Sequence, residues 1–419
     1  MKSNGKHYIF LRLSIITLSI NLIIGVCYVK TANAQEICDE MPIKAKYRRF
    51  DGSGLKNKKL GPVSSAAISQ NGKIVVVGTT SNESSLSAKK LEQNLVILDT
   101  PEFNSSISDS YFSIRKEISI EKDISSIAFH PSDRYFAVAF QTNSNIDIFD
   151  VDNLKRKPFT IPAPQIRSGK IGFSRDGATL FSLDVQKKSN SLLSQIKDNN
   201  IILYKFSSDP INLKFLKEIQ TIRSESKNYS DVIFHPDGQH LIIGGDNRDS
   251  EFIEVYSIGD KKSSVKNSTR SKTSSKRGIL ALSISQDGKY ISSVNKSNPR
   301  EVIVWNSTDL SNLSIQKIIP TYWPVLSTAF SPNSQYLLVG EEAITLGSKC
   351  DSPINMWSLA GEGRRRLSLK YDEKKEEKKS QQARLVLFSP DKKSMFFGSN
   401  DSFFDYFKLD QEGQNTINK

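Results

Sequence analysis

Short apolar runs alternate with polar turns along most of the chain, and one such pattern recurs seven times. In each copy an apolar strand ends in a polar turn, a second apolar strand follows, and a third strand comes after a gap. Short runs of β-branched and aromatic residues bounded by Gly, Pro, Asn and Asp are typical of β-strands. The pattern therefore predicts an all-β protein built from repeats.

The seven copies, numbered here repeats 1 to 7, share an apolar residue at the end of the first strand and a polar turn directly after it. The equivalent apolar residues are Ile68, Phe129, Phe173, Phe234, Ile284, Phe330 and Phe388. The turn reads Ser-Arg-Asp-Gly at 174–177 in repeat 3 and His-Pro-Asp-Gly at 235–238 in repeat 4. Pro presets φ, Asp caps the turn and Gly accepts positive φ, so each copy predicts a hairpin.

Stacking the copies around an axis buries faces that a lone small sheet would leave exposed. We therefore predict a seven-bladed β-propeller of four-stranded antiparallel blades over residues 63–410. Residues 35–62 form an N-terminal segment, in which 43–50 alternate with period two. We expect this strand to pair as the outer strand of the last blade and so close the ring. Residues 411–419 form a polar tail.

The turns of the Phe-Ser-Pro-Asp type and the third strands ending in Trp305 and Trp357 resemble the WD-repeat β-propeller family. The resemblance covers nearly all of the chain after residue 34. The family's Gly-His dipeptide is absent, and its Trp-Asp dipeptide is replaced by Trp-Asn at 305–306 and Trp-Ser at 357–358. Its Asp–His–Ser–Trp hydrogen-bond network is therefore not carried over. The likeness is closer to divergent exported bacterial propellers of the lactonase-like and YVTN-type groups.

Residues 1–34 have the features of a secretory signal peptide. Lys2, Lys6 and Arg12 precede an uncharged, largely apolar run of 17 residues, and Ala-Asn-Ala at 32–34 fits the small-x-small cleavage pattern. Cleavage after this motif predicts a periplasmic or secreted protein. The alternative is an uncleaved membrane anchor, because about 17 residues is the short end of what spans a bilayer.

The positive charge of the chain is concentrated in one loop. The formal net charge of +13 falls to +9 when the four basic residues of the signal peptide are removed. Seven basic residues lie in 261–277, which has no acidic residue: Lys261, Lys262, Lys266, Arg270, Lys272, Lys276 and Arg277. Such a loop is a candidate site for an acidic protein or an anionic envelope component. The alternative is a solvated loop, and the lack of aromatic residues argues against nucleic acid.

The longest insertions fall between second and third strands, at 79–94, 185–200 and 341–353. In a propeller these gaps share one rim, here the loop face, and the turns after the first strands share the opposite rim, here the turn face. Long loops on a rigid scaffold commonly form binding sites, although neutral drift is the alternative. Trp323 enters repeat 6 from the loop face, where an aromatic residue can anchor a partner or simply pack.

Candidate chemistry is otherwise sparse. Cys38 and Cys350 are the two cysteines beyond the signal peptide, and in an oxidising compartment they form a candidate disulfide. Their expected positions on opposite rims argue against the bond, and the extended reach of the intervening chain leaves it open. His130 and His235 occupy a turn position that is Ser in the other five repeats, so we interpret them as turn residues.

These observations predict no catalytic residue, no metal ligand and no cofactor. We expect a monomeric, exported, non-enzymatic scaffold that binds a protein or an anionic envelope component through its loop face. Contact with a membrane would arise through an uncleaved signal or a peripheral interaction. The alternative is a lactonase-like propeller hydrolase.

Overall fold

The computed structural model describes residues 45–50, 54–55, 60–80, 93–101, 112–120, 122–141, 145–161, 167–185, 200–206, 217–223, 228–246, 251–259, 264–265, 278–295, 300–321, 323–343, 354–360, 364–365, 381–399 and 404–409. Within these ranges the chain is mainly β-strand, with one 3₁₀ turn at Val151–Asn153. No helix in them is long and apolar enough to cross a lipid bilayer. The predicted signal peptide lies outside the described residues, so export stays a prediction.

Repeats 1 to 5 each form a four-stranded antiparallel sheet in chain order. Repeat 1 contains β2 (Val63–Ile68), β3 (Ile74–Thr79), β4 (Gln93–Asp99) and β5 (Ser113–Ile120). Repeat 2 contains β6 (Ile124–Phe129), β7 (Tyr135–Phe140), β8 (Ile146–Asp150) and β9 (Phe159–Ile161). Repeat 3 contains β10 (Arg167–Phe173), β11 (Thr179–Val185), β12 (Asn200–Lys205) and β13 (Lys217–Ile222).

The fourth and fifth repeats follow the same order. Repeat 4 contains β14 (Asn228–Phe234), β15 (His240–Asp246), β16 (Glu251–Ser257) and β17 (Ser264–Val265). Repeat 5 contains β18 (Ile279–Ile284), β19 (Tyr290–Asn295), β20 (Glu301–Asn306) and β21 (Ser314–Pro320). The fourth strand is the most variable element, because β17 has two residues and β21 has seven.

Repeats 6 and 7 share one eight-stranded sheet. Its strands are β22 (Val325–Phe330), β23 (Tyr336–Ala343), β24 (Ile354–Ser358), β25 (Arg364–Arg365), β26 (Gln381–Phe388), β27 (Ser394–Ser399), β28 (Phe404–Leu409) and β1 (Ala45–Phe50). The last two residues of β23 pair with the first two of β26 and join the repeats, Glu342 with Gln382 and Ala343 with Gln381. The prediction of seven separate blades is therefore wrong in number, because the described residues form six sheets.

The N-terminal strand closes the ring as the sequence pattern predicts. All six residues of β1 pair antiparallel with β28, from Ala45 with Leu409 to Phe50 with Phe404. Each first strand lies beside the first strand of the next repeat, and β26 of repeat 7 lies against β2 of repeat 1. The first and last segments of the described chain therefore meet in one sheet.

The hydrophobic core is divided among the interfaces between repeats. Seven clusters of buried side chains are present in the described part of the chain, and each joins residues of two neighbouring repeats. Phe136 of repeat 2, for example, belongs to the same cluster as Val76 of repeat 1. Trp305 and Trp357 are buried in two of these clusters and pack neighbouring repeats together. Each repeat thus depends on its neighbours to cover its faces.

Candidate functional site

Repeated side-chain hydrogen bonds build the turns after the first strands. In repeat 3 the Ser174 hydroxyl donates to Asp176 at 2.6 Å and accepts the N–H of Thr179 at 2.9 Å. Asp176 also accepts the N–H of Ala178 at 3.0 Å. The bonds from Ser174 and Ala178 hold the pKa of Asp176 below its ordinary value. The same serine bonds recur in repeats 1, 5 and 6, at Ser69, Ser285 and Ser331.

Every one of these turns places its fifth residue, counted from the repeated apolar position, at positive φ. Four of these residues are glycines with φ between 70° and 75°: Gly72, Gly177, Gly238 and Gly288. The others are Asp133, Ser334 and Lys392, with φ of 63°, 59° and 65°. The turn therefore keeps one shape around the ring, even where the sequence supplies a residue that rarely adopts it.

Neighbouring turns are also bonded to one another. Asp133 of repeat 2 accepts the backbone N–H groups of Gln70 and Asn71 in repeat 1. His130 Nε2 lies 3.1 Å from the Gly177 carbonyl oxygen of repeat 3. These contacts between repeats make the turn face a continuous surface rather than a set of independent hairpins.

A cavity of ≈ 330 Å³ opens at the centre of this turn face. Its walls come from six of the seven repeats, which places it on the axis of the ring. The apolar walls are five of the repeated apolar residues: Phe173, Phe234, Ile284, Phe330 and Phe388. Arg175, Gln70 and Gln286 supply polar groups at the same cavity. An apolar concavity with a few polar groups is the usual form of a ligand-binding site.

Deeper along the axis, the first strands carry a charged pair. Lys170 Nζ of repeat 3 lies 2.5 Å from Oδ1 of Asp231 in repeat 4. Asp231 is buried, and it accepts the N–H of Val232 at 2.8 Å and the N–H of Leu282 in repeat 5 at 2.7 Å. One carboxylate therefore links three consecutive repeats.

The position of Asp231 has an equivalent use in other repeats. Ser65, Ser126 and Ser327 occupy it in repeats 1, 2 and 6. Each hydroxyl accepts a backbone N–H from the first strand of the following repeat, at 3.0, 3.3 and 3.3 Å respectively. The side chain at this position is thus a hydrogen-bonded link between neighbouring first strands, and Asp231 adds a charge to that link.

Both turn histidines accept a backbone N–H from their own turn. The Nδ1 of His130 accepts the N–H of Ser132 at 3.1 Å, and the Nδ1 of His235 receives the N–H of Asp237 at 3.3 Å. Burial lowers the pKa of His130, against the opposing effects of the Gly177 carbonyl and Asp176. His130 is therefore held in its neutral form near neutral pH.

Most of the predicted binding residues lie outside the described residues. They are Lys261, Lys262, Lys266, Arg270, Lys272, Lys276 and Arg277, together with the disulfide candidates Cys38 and Cys350. Trp323 is described and is partly buried. Its backbone N–H donates to the buried Glu341 carboxylate at 3.0 Å, which fixes the entry into repeat 6. Its predicted role as a partner anchor stays a prediction.

The loop insertions in the sequence favour binding on the loop face, whereas the cavity lies on the turn face. The sequence does contain a signal for this cavity, because its apolar walls are the repeated apolar residues that align the seven copies. Alternation along a strand assigns them to one face of each sheet, and ring closure brings them together. The Lys170–Asp231 pair is a second feature that the sequence pattern does not predict. Both residues lie three positions before the repeated apolar residue of their repeats.

Comparisons with known proteins bear on the fold. No family model and no curated protein matches the sequence. Among solved structures, the β-propeller domain of Cps50 (Swd1) from Myceliophteria thermophila has a TM-score of 0.59 at 10% identity, covering 89% of this chain and 100% of that one. A chain of the mitotic checkpoint complex has a TM-score of 0.56 at 15% identity, covering 88% and 96% respectively. These likenesses support the β-propeller fold of this chain.

Proposed function

We propose that this protein is a non-enzymatic scaffold that holds a segment of a partner protein at the axial cavity of its turn face. The observation that carries the proposal is the cavity itself, which is lined by aromatic and aliphatic residues of several repeats and by Arg175. Buried aromatic and Arg side chains are the residues that contribute most to binding in protein interfaces. A rigid ring of bonded turns supports this site with little cost of ordering on binding.

The chemistry of the walls defines the partner. A cavity of ≈ 330 Å³ accommodates one or two side chains of a bound segment rather than a folded domain. The phenylalanine walls favour an apolar or aromatic side chain, and Arg175 favours a carboxylate beside it. The partner is therefore an extended segment with an apolar residue next to an acidic residue or a C-terminus.

The likeness to a chain of the mitotic checkpoint complex supports a role in assembly, because that propeller is part of a multi-protein complex. We propose further that the protein acts after export, in the periplasm or outside the cell, on the basis of the signal-like residues 1–34. The segment 261–277 is not all loop as predicted, because β17 (Ser264–Val265) lies within it and pairs with β16. In the exported protein its basic residues are a second contact, for an anionic envelope component or an acidic surface of the same partner.

Site-directed photo-crosslinking in intact cells tests the proposal. A photo-reactive residue replaces Gln286 at the cavity, and a matched variant carries it at Ile315, an exposed residue of the outer strand β21. We expect a discrete crosslinked partner from position 286 and none from 315. Arg175→Glu should weaken crosslinking at 286 by about tenfold, because its repulsion of an acidic partner group would cost about 1.4 kcal/mol of binding free energy.

Other outcomes would count against the scaffold. Equal crosslinking at both positions would show that the cavity is not the site. Crosslinking through residue 266 alone would move the site to the basic residues of 261–277. Hydrolysis of a simple lactone by the purified protein would favour the alternative, a lactonase-like hydrolase.

A further inference from the structure

Two histidines and one aspartate converge at the turn of repeat 4. Oδ2 of Asp237 lies 2.9 Å from Nδ1 of His235 and 2.7 Å from Nδ1 of His240. All three potential ligand atoms lie within 4.8 Å of one another, and no other group of this kind occurs in the part of the chain that the structure describes. His235 and His240 are partly buried, and Asp237 is exposed.

The turn orients the carboxylate toward the two rings. The other oxygen of Asp237, Oδ1, accepts the backbone N–H groups of Gln239 at 2.8 Å and His240 at 3.1 Å. The bond from Gln239 is the same capping bond that Asp176 accepts from Ala178 in repeat 3, and the bond from His240 is an additional one. They fix the carboxylate plane, and Oδ2 is left to face both imidazole nitrogens.

A contact with the next repeat sets the tautomer of His235. Its Nε2 lies 3.2 Å from the carbonyl oxygen of Gly288 in repeat 5. A carbonyl oxygen only accepts, so Nε2 carries the ring proton, and in the neutral ring Nδ1 is then a lone pair. Hydrogen bonding from one ring nitrogen to a backbone carbonyl is also the arrangement that prepares the other nitrogen for a metal.

A metal ion between Nδ1 of His235 and the Asp237 carboxylate would suit the short contact between them. A lone pair that faces a carboxylate oxygen at 2.9 Å is repelled unless a proton or a metal ion lies between them. The N–H of Asp237 reaches the same nitrogen at 3.3 Å, which is too long for a strong hydrogen bond. Oδ2 also lies 2.7 Å from Nδ1 of His240, so a single metal ion could contact all three ligand atoms.

We propose that His235, Asp237 and His240 bind Zn²⁺ or a related divalent transition metal. Imidazole nitrogen and carboxylate oxygen are ordinary Zn²⁺ ligands, and bond lengths of about 2.0–2.2 Å place ligand atoms about 3.3 Å apart in a tetrahedral site. The two short contacts therefore open by about half an ångström around the ion. Three protein ligands leave a fourth position for water or a partner group. Because His235 also lines the axial cavity, the ion would lie at the edge of that cavity.

Repeat 2 provides an internal comparison. His130 occupies the position of His235 and makes the same Nε2 contact, with Gly177 at 3.1 Å. The positions of Asp237 and His240 are held there by Ser132 and Tyr135. The Ser132 hydroxyl lies 2.8 Å from Nδ1 of His130 and supplies a neutral partner. One histidine without the two further ligands is not a metal site, so His130 is a matched control.

Zinc titration of the purified full chain tests the proposal, with ZnCl₂ added to protein stripped by a chelator at pH 7.5. The variants are chosen from residues that other repeats carry at the same positions. His235→Ser introduces the residue found in five repeats, and Asp237→Asn introduces the residue present as Asn71 and Asn333. His130→Ser makes the same change where no metal is proposed. Circular dichroism and the melting temperature in chelator establish that each variant is folded.

We expect the wild-type protein and His130→Ser to bind one Zn²⁺ with equal affinity. His235→Ser and Asp237→Asn should each bind at least ~10-fold more weakly, because even second-layer changes weaken metal sites by that factor. If His235→Ser does not fold, Asp237→Asn carries the comparison.

Three results would overturn the site. They are no binding of Zn²⁺ by the wild-type protein, binding that is unchanged in both site variants, and equal losses in His130→Ser and His235→Ser. The second result would assign any bound zinc to other residues of the chain, and the first would leave a proton as the cation between the rings and the carboxylate.

Discussion

At the residue scale, Asp184 is a buried carboxyl group at a position where the repeat pattern does not predict an acidic residue. It lies near the end of β11, is fully buried, and accepts a hydrogen bond from the Ser182 hydroxyl at 2.9 Å. Burial raises the pKa of Asp184 to about 6, with a smaller contribution from the negative charge of Glu218. The ionised form of this carboxyl is therefore disfavoured in the folded protein.

This shift predicts a pH dependence of stability. The folded pKa of about 6 lies above the ordinary value of 3.8, so the folded state holds its proton more tightly than the unfolded state. The resulting stabilisation is fully present below about pH 4 and is lost as the pH rises through about 6. Asp184→Asn should therefore raise the free energy of unfolding by up to about 3 kcal/mol at pH 7.5 and change it little at pH 4. Urea denaturation at both pH values measures the difference, and an equal effect at both would contradict the assignment.

Lys392 illustrates a cost that the common turn shape imposes. It stands at φ 65° where four other repeats have glycine, and its side chain is exposed. A non-glycine residue in this region is strained by about 1–2 kcal/mol, and replacement by glycine removes that strain. The greater freedom of glycine in the unfolded chain offsets part of the gain in stability. Lys392→Gly should therefore stabilise the protein by about 1 kcal/mol. Lys393→Gly, at a neighbouring exposed position without positive φ, should instead be neutral or destabilising, as thermal denaturation of both variants would show.

At the element scale, β1 is the strand on which closure depends. Phe50 is buried and packs edge-on against Phe112 at 5.9 Å between ring centroids, and Phe112 in turn contacts Phe404 and Tyr406 of β28. This aromatic group belongs to the cluster between repeats 7 and 1. The pairing of β1 with β28 is therefore reinforced by side chains as well as by the backbone ladder.

Phe50→Ala should lower the free energy of unfolding by about 3–5 kcal/mol, the usual loss for a large aromatic side chain in a core. Deletion of residues 35–50 should remove the cooperative transition entirely, because it exposes the edge of β28 and the face of the same cluster. Ile318→Ala is the matched surface control, since Ile318 is 50% exposed on β21. A deletion variant that melts at the wild-type temperature would show that β1 is not needed for closure.

The elements differ in how far the sequence could predict them. The hairpins were predictable because Ser, Asp and Gly recur at fixed spacing, and the bonds of Ser174 and Asp176 show the chemistry behind that spacing. The closing strand was predictable from the alternation in 43–50. The joining of repeats 6 and 7 could not be predicted from the sequence. It depends on two residue pairs, Glu342 with Gln382 and Ala343 with Gln381, and no periodicity or turn motif in the sequence indicates them.

The candidate site was less predictable than the fold. Its apolar walls were identified one repeat at a time, and their convergence on one cavity is a consequence of ring closure. The approach of His235 to His240 depends on the turn conformation, which brings residues five positions apart onto one carboxylate. Spacing alone does not distinguish this arrangement from two unrelated turn residues.

At the scale of the whole molecule, the division of the core predicts how the protein unfolds. Every cluster belongs to two neighbouring repeats and the ring is closed, so no repeat can be lost without opening two interfaces. An open array of repeats would instead lose stability locally, beginning at its ends. Closure therefore predicts a single cooperative transition.

Phe136→Ala tests this property at one interface. Phe136 is fully buried between repeats 1 and 2 and stacks on Phe149 at 5.0 Å, so its removal should cost about 3–5 kcal/mol. The slowest amides in β19 and β20 of repeat 5 exchange through opening of the whole ring. Their exchange rates should therefore rise by the factor that corresponds to the same loss of free energy. Ile315→Ala on the exposed side of β21 should stay within about 0.5 kcal/mol of the wild type. Acceleration confined to repeats 1 and 2 would show that the interfaces open independently, and the protein would then behave as a linear array despite its closed backbone.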